Sequence, residues 1–218
     1  KPSLRPGRQE RLQPSSSATM TLGDWPPQRR IGLTGGIASG KSSVAALLDA
    51  RGYPVLDADL YAKEALAQGM PASNAVVARY GERVKNNGTS GIDRACLASI
   101  VFNDPNERSW LELLVHPIVQ RRFNEALQAL PEAPIVILMI PLLFEAGLEE
   151  WCSEIWVVHC TALQQKKRLM SRNNYTEAEA MQRVEAQWPI DDKVHRADHV
   201  INNSGLIDDL QDQLDALL

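Results

Sequence analysis

Short apolar segments alternate with longer segments of helical periodicity along this chain. The apolar segments predict five strands, at Ile31–Thr34, Tyr53–Leu56, Ile135–Ile140, Ile155–Val158 and His199–Ile201. The run over 135–140 is continuously apolar, which is typical of a parallel strand buried on both faces. Helical spacing is clearest in Ser42–Arg51 and Ile207–Leu217. Strands that alternate with helices predict an α/β fold with a five-stranded parallel sheet flanked by helices.

A long helical region separates the second predicted strand from the third. Helical spacing dominates over 60–130, with turn or break signals at Gly69–Pro71, Asn86–Gly91, Pro105 and Pro117. This is more chain than one crossover helix needs. We therefore expect a helical subdomain at about 61–130, inserted into a core made of about 30–60, 131–165 and 190–218.

Two capping boxes predict a pair of helices late in the chain. Thr161-x-x-Gln164 opens the first helix and Thr176-x-x-Glu179 opens the second, with a mobile tip expected at 173–175. The first helix is basic. We expect the pair, at about 166–189, to form a small lid.

The first thirty residues differ in composition from the rest of the chain. They hold five of the 13 prolines and the run Ser15–Ser17, without a period of 2 or 3.6, so a disordered leader is expected over residues 1–29. Met20 is the expected natural start. This segment carries six basic and two acidic residues, which leaves 17 basic and 25 acidic residues, a net charge of −8, for the body. A nucleic-acid partner is therefore not expected.

Cysteine content and hydropathy narrow the class of protein further. Three scattered cysteines, Cys96, Cys152 and Cys160, form no C-x-x-C pair and suit a reducing cytoplasm. No run of 18 apolar residues occurs, so a membrane partner is not expected. We expect a cytoplasmic monomer.

The most specific motif is glycine-rich and lies between the first strand and the first helix. Residues Gly35–Ser42 match G-x-x-x-x-G-K-[ST] at every required position. Glycines let successive amides point at phosphate oxygens, and a helix N-terminus adds a partial positive charge. Lys41 is expected to reach the β- and γ-phosphates, and the Ser42 hydroxyl to bind Mg²⁺. The sequence therefore predicts a P-loop that binds a nucleoside triphosphate.

Two carboxylates follow the second predicted strand. Asp57 and Asp59 should emerge at the carboxyl edge of the sheet, where open α/β sheets bind ligands. A carboxylate there can orient Mg²⁺ or accept a proton from an attacking hydroxyl. Capping of the next helix is the alternative interpretation, because aspartate is favoured at that position.

Basic residues and one histidine complete the candidates. Arg168 and Arg172 lie four residues apart and should share a helix face, which either closes over a triphosphate or is simply solvated. His116 precedes Pro117 within the helical region. A lone histidine is more often structural, and substrate binding is the alternative.

Absent motifs separate the classes of P-loop protein. The predicted strand at 135–140 ends without aspartate, and the guanine-reading motif N-K-x-D does not occur. A helical insertion and a basic helix pair favour a small-molecule kinase with a lid. A kinase of another metabolite and a regulatory nucleotide-binding module remain alternatives.

The chain resembles the dephospho-CoA kinase family over residues 30–218. The resemblance rests on motifs that occur in the family's order: Ile31-Gly-Leu-Thr-Gly-Gly-Ile-Ala-Ser-Gly-Lys41-Ser, Val55-Leu-Asp57-Ala-Asp59, His116-Pro117, Ile140-Pro-Leu-Leu-Phe-Glu145, Gln187-Trp-Pro189 and Ile201-Asn-Asn-Ser-Gly205. It implies a P-loop kinase fold with an acceptor-binding subdomain and a lid. It also implies transfer of the γ-phosphoryl group of ATP to the ribose 3′-hydroxyl of dephospho-CoA, with Mg²⁺ as cofactor.

The resemblance also implies roles for individual residues. Asp59 resembles the general base, and Lys41 and Arg172 complete the catalytic set. The residues implied in ATP binding are Gly36, Ala38, Ser39, Gly40, Lys41, Ser42, Ser43 and Arg168. The residues implied in acceptor binding are Asp57, Lys63, Arg94 and His116.

Three positions depart from the family pattern. Ala38 stands where glycine is usual, and its small methyl group is expected to leave phosphate binding intact. Met139 and Asn202 stand where aspartate is frequent. Any role of a carboxylate at 139 is therefore missing or supplied by Asp57 or Glu145.

Overall fold

A five-stranded parallel sheet forms the centre of the molecule, in a computed structural model that describes residues 28–85 and 91–218. The strands are β1 (Arg29–Gly35), β2 (Val55–Asp57), β3 (Ile135–Met139), β4 (Glu154–His159) and β5 (His199–Asn202). Their order across the sheet is β2-β3-β1-β4-β5, and all four neighbouring pairs are parallel. The predicted fold class is confirmed. The predicted leader up to residue 27, with Met20, and residues 86–90 of the predicted turn lie outside the described residues.

Alternating residues of the strands fill two apolar layers. On one face, α1 (Lys41–Ala50) and α9 (Ile207–Asp215) pack against the sheet, burying Leu48 and Leu214 with Trp156. On the other face, Val136 and Leu138 of β3 pack against the long helix α5 (Pro105–Gln128). Burial on both faces explains why the strand at 135–139 is apolar throughout.

The second strand begins two residues later than the sequence predicted. The amide of Tyr53 donates to the carbonyl of Leu48 at 3.2 Å, in the turn that ends α1. Pro54 has no amide to donate. Pairing with β3 therefore begins at Val55, and the strand ends on Asp57 rather than before it.

Four helices fill the region between β2 and β3: α2 (Ala58–Ala65), α3 (Pro71–Tyr80), α4 (Arg94–Asn103) and α5. Asp104 caps α5 and Pro105 occupies its first turn, as the break signal at that proline predicted. The prediction of a break at Pro117 was wrong, because α5 continues through it. These helices share a separate apolar cluster formed by Val76, Val84, Ile92 and Leu97.

The basic region forms two helices, α6 (Ala162–Asn173) and α7 (Glu177–Glu185), which we call the α6–α7 hairpin. Both predicted capping boxes are confirmed, at Thr161 and Thr176. Asn174 ends α6 in the left-handed conformation, with φ of 54°, which asparagine tolerates well. A short helix that the sequence did not predict, α8 (Ile190–Val194), returns the chain to the sheet.

Candidate active site

A cavity of about 1260 Å³ opens at the carboxyl edge of the sheet. The loop after β1, the end of β2, the end of β3 and the segment after β5 all reach it. Its described lining residues are Ile37, Ala38, Gly40, Lys41, Ser42, Ser43, Asp57, Asp59, Lys63, Met139, Pro141, Leu142, Lys167, Arg168, Ser171, Arg172, Gln187, Asn203 and Ile207. The fold thus brings the predicted P-loop, carboxylates and arginines to one site.

The P-loop needs glycine at Gly40 for two independent reasons. Its φ of 98° lies in the left-handed region, which side chains rarely adopt. A Cβ atom there would also lie 1.9 Å from Nδ2 of Asn203. Asn203 instead approaches the bare backbone and donates to the carbonyl of Ser39 at 2.7 Å.

Side chains from the loop itself and from α6 bind the loop's carbonyl groups. Lys41 Nζ donates to the carbonyls of Gly35 and Gly36, both at 2.9 Å. Gln165 Nε2 donates to the carbonyl of Ile37 at 2.8 Å. Arg168 Nη1 donates to the next two carbonyls, those of Ala38 and Ser39, at 3.3 and 3.1 Å. With the carbonyls held in this way, the loop presents amides at the start of α1 as an anion site.

Ala38 adopts a conformation that glycine would adopt more easily. Its φ is 56°, one of two positive values among the described non-glycine residues. The left-handed region costs about 1–2 kcal/mol for an L-residue with a Cβ atom. The expectation that this alanine is harmless rested on the size of its methyl group, and the structure shows that its backbone angle is the larger concern.

Lys41 is half-buried among charged groups. Loss of hydration and the positive charge of Lys193 lower the pKa of Lys41 to about 8, while Asp59 and Glu145 act in the opposite direction. Its ammonium group lies on the loop carbonyls at the edge of the cavity. A polyphosphate in the cavity would supply the negative charge that this site lacks.

The two aspartates have different environments. Asp57 is the N-cap of α2, and its Oδ1 accepts from the amides of Asp59 and Leu60 at 2.8 and 3.3 Å. Asp59 faces the cavity. Partial loss of hydration and repulsion by Asp57 raise the pKa of Asp59, while Lys63 and Lys41 lower it. The capping alternative is confirmed for Asp57, and both carboxylates line the cavity, where their role in catalysis or metal binding stays a prediction.

The two arginines of α6 also differ. Besides its contacts with the loop, Arg168 Nη2 donates to the carbonyl of Asn203 at 2.9 Å, so this side chain joins the P-loop to the segment after β5. Arg172 is exposed, and its Nε donates to Asn173 on its own helix. Arg172 thus lines the cavity with its charge directed to no carboxylate among the described residues.

The predicted acceptor-binding residues are not all brought together. Lys63 lines the cavity, and Arg94 Nη2 donates to the carbonyl of Lys63 at 3.1 Å. His116 lies exposed on α5 and is not among the described residues that line the cavity. Gly36 and Ser39 are buried in the loop behind the lining. The roles predicted for all of these residues stay predictions.

Sequence reasoning missed a buried ion pair beside the P-loop. The side chain of Lys193 is 0% exposed, and its Nζ lies 2.6 Å from Oε1 of Glu145. Glu145 Oε1 also accepts from the amide of Trp188, and Glu145 Oε2 is buried without a partner. The α8 sequence, Ile-Asp-Asp-Lys-Val, has no apolar signal that would announce a buried lysine. Glu145 stood only in a motif of the family resemblance.

This ion pair predicts a large effect on stability. Lys193→Met leaves Glu145, whose side chain is 18% exposed, without its counter-ion, and we expect it to lower the free energy of unfolding by up to about 3–5 kcal/mol. The double variant with Glu145→Gln removes both charges and should recover most of the loss. Urea denaturation measures each value. The matched control is Lys166→Met, which breaks the more exposed pair with Glu177 and should cost no more than about 1 kcal/mol. A loss for Lys193→Met no larger than this control's would contradict the prediction.

The donors present suit a magnesium ion held mainly by substrate. Within 28–85 and 91–218, no group of three or more His, Cys, Asp or Glu residues is placed to hold a metal. Mg²⁺ commonly binds through one or two protein oxygens, several waters and phosphate oxygens. Ser42, Asp57 and Asp59 all supply oxygen atoms to the cavity lining, so the site fits an ion of this kind.

No helix in the part of the chain that the structure describes has the length and apolar character needed to span a bilayer.

Comparison with known proteins shows which family the chain resembles. A family model described as dephospho-CoA kinase matches residues 29–209. A dephospho-CoA kinase from Synechococcus sp. (strain CC9902) is 81% identical over 199 residues, which cover 91% of this chain and 100% of that protein. A dephospho-CoA kinase from Prochlorococcus marinus is 51% identical over 195 residues, which cover 88% of this chain and 96% of that protein.

Two solved structures share the fold. A protein from Thermus thermophilus is 40% identical with a TM-score of 0.77, and the match covers 87% of this chain and 96% of that one. A dephospho-CoA kinase from Campylobacter jejuni is 25% identical with a TM-score of 0.64, at the same two coverages of 87% and 96%.

Proposed function

Because the chain belongs to the dephospho-CoA kinase family, we propose that it transfers the γ-phosphoryl group of ATP to the ribose 3′-hydroxyl of dephospho-CoA. The products are CoA and ADP, and the reaction is the last step of coenzyme A biosynthesis. One observation carries the proposal beyond family membership: Lys41 and Asp59 line the same cavity, which supplies a phosphate anchor and a base to one pair of substrates.

The P-loop binds ATP. Amides at the start of α1 receive phosphate oxygens, and the Lys41 ammonium group exchanges its carbonyl contacts for the β- and γ-phosphates. Arg168 holds the carbonyls of Ala38 and Ser39, which fixes the curvature of the loop. The positive charges of Lys167, Arg168 and Arg172 on the same cavity compensate the net negative charge of the body.

Asp59 accepts the proton of the attacking hydroxyl. Its carboxylate lies at the edge where the acceptor must meet the γ-phosphate, and its raised pKa makes it a stronger base than an ordinary surface aspartate. Asp57 orients the start of α2 through its cap and thereby fixes the position of Asp59.

Ser42 is the protein ligand that we propose for Mg²⁺, with Asp57 available through water. The bound ion would bridge phosphate oxygens and neutralise charge that develops on them. Glu145 is committed to Lys193, which leaves Asp57 as the carboxylate that compensates for Met139 at the end of β3.

The helical region and the α6–α7 hairpin take the remaining roles. We propose that α2–α5, with Lys63 and Arg94 next to the cavity, form the acceptor-binding subdomain at about 61–130. The α6–α7 hairpin makes up most of the predicted lid, at about 166–189, and this lid closes over both substrates. The reduced state proposed for Cys96, Cys152 and Cys160 suits a cytoplasmic enzyme, and its monomeric state stays a prediction.

The lid role gives a prediction for Arg172. Arg172→Ala removes a charge that stabilises the transferring phosphoryl group, and we expect kcat to fall about 10–100-fold. The melting temperature should not change, because this side chain is exposed and bonds only to its neighbour. Arg168→Ala is the contrasting variant, since it also removes three contacts with backbone carbonyls and should lower the melting temperature. Equal stability losses in the two variants would make Arg172 a structural residue.

An assay of ADP release tests the proposed function. Dephospho-CoA, nucleoside monophosphates and shikimate are compared as acceptors at one ATP concentration. Stimulation by dephospho-CoA alone supports the proposal. Stimulation by another acceptor would favour a kinase of a different metabolite, and ADP release that no acceptor stimulates would favour a regulatory nucleotide-binding module.

A further inference from the structure

Glutamine side chains bind both backbone polar groups of Ile37, in the middle of the P-loop. Its amide donates to Oε1 of Gln187 at 2.7 Å. Its carbonyl accepts from Nε2 of Gln165 at 2.8 Å. Gln165 lies in the first turns of α6, and Gln187 follows α7. The two glutamines therefore lie where the chain enters and leaves the α6–α7 hairpin, at its base.

The Gln165 contact is built deeply into the fold. Gln165 is 2% exposed, and a Cβ atom on Gly36 would lie 2.2 Å from its Nε2. Arg168, on the same helix, donates to the carbonyl of Ala38, the residue after Ile37. The α6 helix therefore grips the loop through two neighbouring peptides.

The Gln187 contact is fixed by the residues that follow it. The amide of Trp188 donates to Oε1 of Glu145 at 3.3 Å, and the Trp188 ring stacks on Phe144 with centroids 6.5 Å apart. Lys193 holds Glu145 from α8. The end of the hairpin is thus anchored to the loop after β3, which leaves Gln187 in a defined position against Ile37.

The clamp lies next to the strained residue of the loop. A residue with a Cβ atom keeps a left-handed backbone only where its surroundings over-determine it. Ala38 follows Ile37 directly and has φ of 56°. The two bonds fix the N–H and the C=O of Ile37. The loop therefore cannot relieve the strain at Ala38 by changing the conformation of the preceding residue.

We propose that Gln165 and Gln187 are positioning residues, which clamp the two backbone polar groups of Ile37 at the base of the α6–α7 hairpin and so preorganise the P-loop for phosphate. The proposal rests on the proposed function in treating the loop as the ATP site. The clamp couples the P-loop and the α6–α7 hairpin in both directions. Displacement of the base of the hairpin releases the P-loop, and phosphate bound in the P-loop fixes the base of the hairpin.

A double-variant cycle tests this clamp. Gln187→Met and Gln165→Met each remove one contact with Ile37, and each should weaken ATP binding about tenfold. Because either change releases the backbone of the same residue, Ile37, the double variant should bind ATP no more than about threefold more weakly than the weaker-binding single variant. Equilibrium ATP binding without acceptor gives the affinities, so the result does not depend on which acceptor the enzyme uses.

The matched control is Gln213→Met. Gln213 also binds both backbone polar groups of one residue, since it accepts from the amide of Asn202 at 2.8 Å and donates to its carbonyl at 3.0 Å, and neither bond is to the P-loop itself. This variant should lower the melting temperature as much as Gln187→Met while leaving ATP affinity unchanged. Combined with Gln187→Met, it should give independent effects that multiply.

Hydrogen exchange keeps the test decisive if Gln165→Met fails to fold. In Gln187→Met alone, the Ile37 amide loses its acceptor, and the peptide that contains it should exchange at least about tenfold faster than in the wild type. Unchanged exchange at Ile37, unchanged ATP affinity in Gln187→Met, or losses that multiply in the double variant would each overturn the clamp. A wild type that binds ATP but does not phosphorylate dephospho-CoA would contradict the proposed function and leave the clamp standing.

Discussion

Asp59→Asn should lower kcat by about 10²–10⁴-fold while the affinity for ATP stays within about threefold of the wild type. The change keeps the size of the side chain and removes only the base, because an amide does not accept a proton at neutral pH. In the proposed site, ATP binds the P-loop and does not contact this side chain. Steady-state kinetics with dephospho-CoA and equilibrium ATP binding measure the two quantities separately. A variant with near-normal kcat would contradict the assignment.

The same substitution should not destabilise the fold. Partial loss of hydration and repulsion by Asp57 raise the pKa of Asp59 above its unfolded value, so ionisation of Asp59 opposes folding at every pH above its folded pKa. Asp59→Asn removes that cost, and its melting temperature at neutral pH should equal or exceed that of the wild type. A lower melting temperature would indicate that Asp59 is mainly a structural carboxylate.

Asp57→Asn is the matched control, because asparagine also caps helices. It should preserve the cap on Asp59 and Leu60 while removing the charge that raises the pKa of Asp59. The acid limb of the kcat/KM profile should therefore move to lower pH in this variant. A limb that does not move would show that another group controls it.

Lys41→Met should lower kcat/KM for ATP by about 10³–10⁴-fold, with losses in both binding and turnover. Lys41 joins the loop carbonyls to the cavity through its ammonium group, and its charge should stabilise bound ATP and, more strongly, the transition state, where negative charge develops on the transferring group. Competition binding with ADP and the kinetics of phosphoryl transfer report the two losses. The outcome opposed to ours is a loss of turnover with unchanged nucleotide affinity.

Lys63→Met serves as the control for the loss of a positive charge. Lys63 also lines the cavity, but it lies on α2 beside Asp59. It should raise KM for the acceptor and leave the affinity for ATP unchanged. An equal loss of ATP affinity in both variants would show a general electrostatic effect and no specific anchor at Lys41.

The local pattern of the sequence predicted the elements that bind phosphate. The motif at Gly35–Ser42 requires a strand, a tight loop and a helix in succession, and the structure has β1, the P-loop and α1 in that order. The continuous apolar run of β3 predicted a strand buried on both faces, because no other element of that length needs apolar residues throughout. These predictions concern residues that are close in sequence.

The contacts that sequence could not predict join distant segments. Lys193 lies on α8 and Glu145 in the loop after β3, with β4, α6 and α7 between them, and neither residue type indicates burial. Gln165 and Gln187 are ordinary helix and loop residues until the fold places Ile37 between them. Pro117 stays within α5, where packing of Val115, Val119 and Phe123 on the sheet supports the helix despite a lost hydrogen bond.

The departures from the family pattern gain a physical interpretation from the structure. Asn202 carries no ionic contact, since its side chain accepts from the amide of Ser204 and its backbone is held by Gln213. Met139 contributes an apolar surface to the cavity. Both changes leave the contacts of Lys41 and the environment of Asp59 in place.

The position of the transferred phosphoryl group tests the central claim most directly. The wild-type enzyme is incubated with ATP, Mg²⁺ and either dephospho-CoA or its 3′-deoxy analogue, and the product is identified by mass and by phosphorus NMR. We predict a new monoester at the ribose 3′-oxygen of dephospho-CoA, stoichiometric with ADP, and no ADP above background with the deoxy analogue. Phosphorylation at any other position, or equal ADP release with the deoxy analogue, would contradict the account.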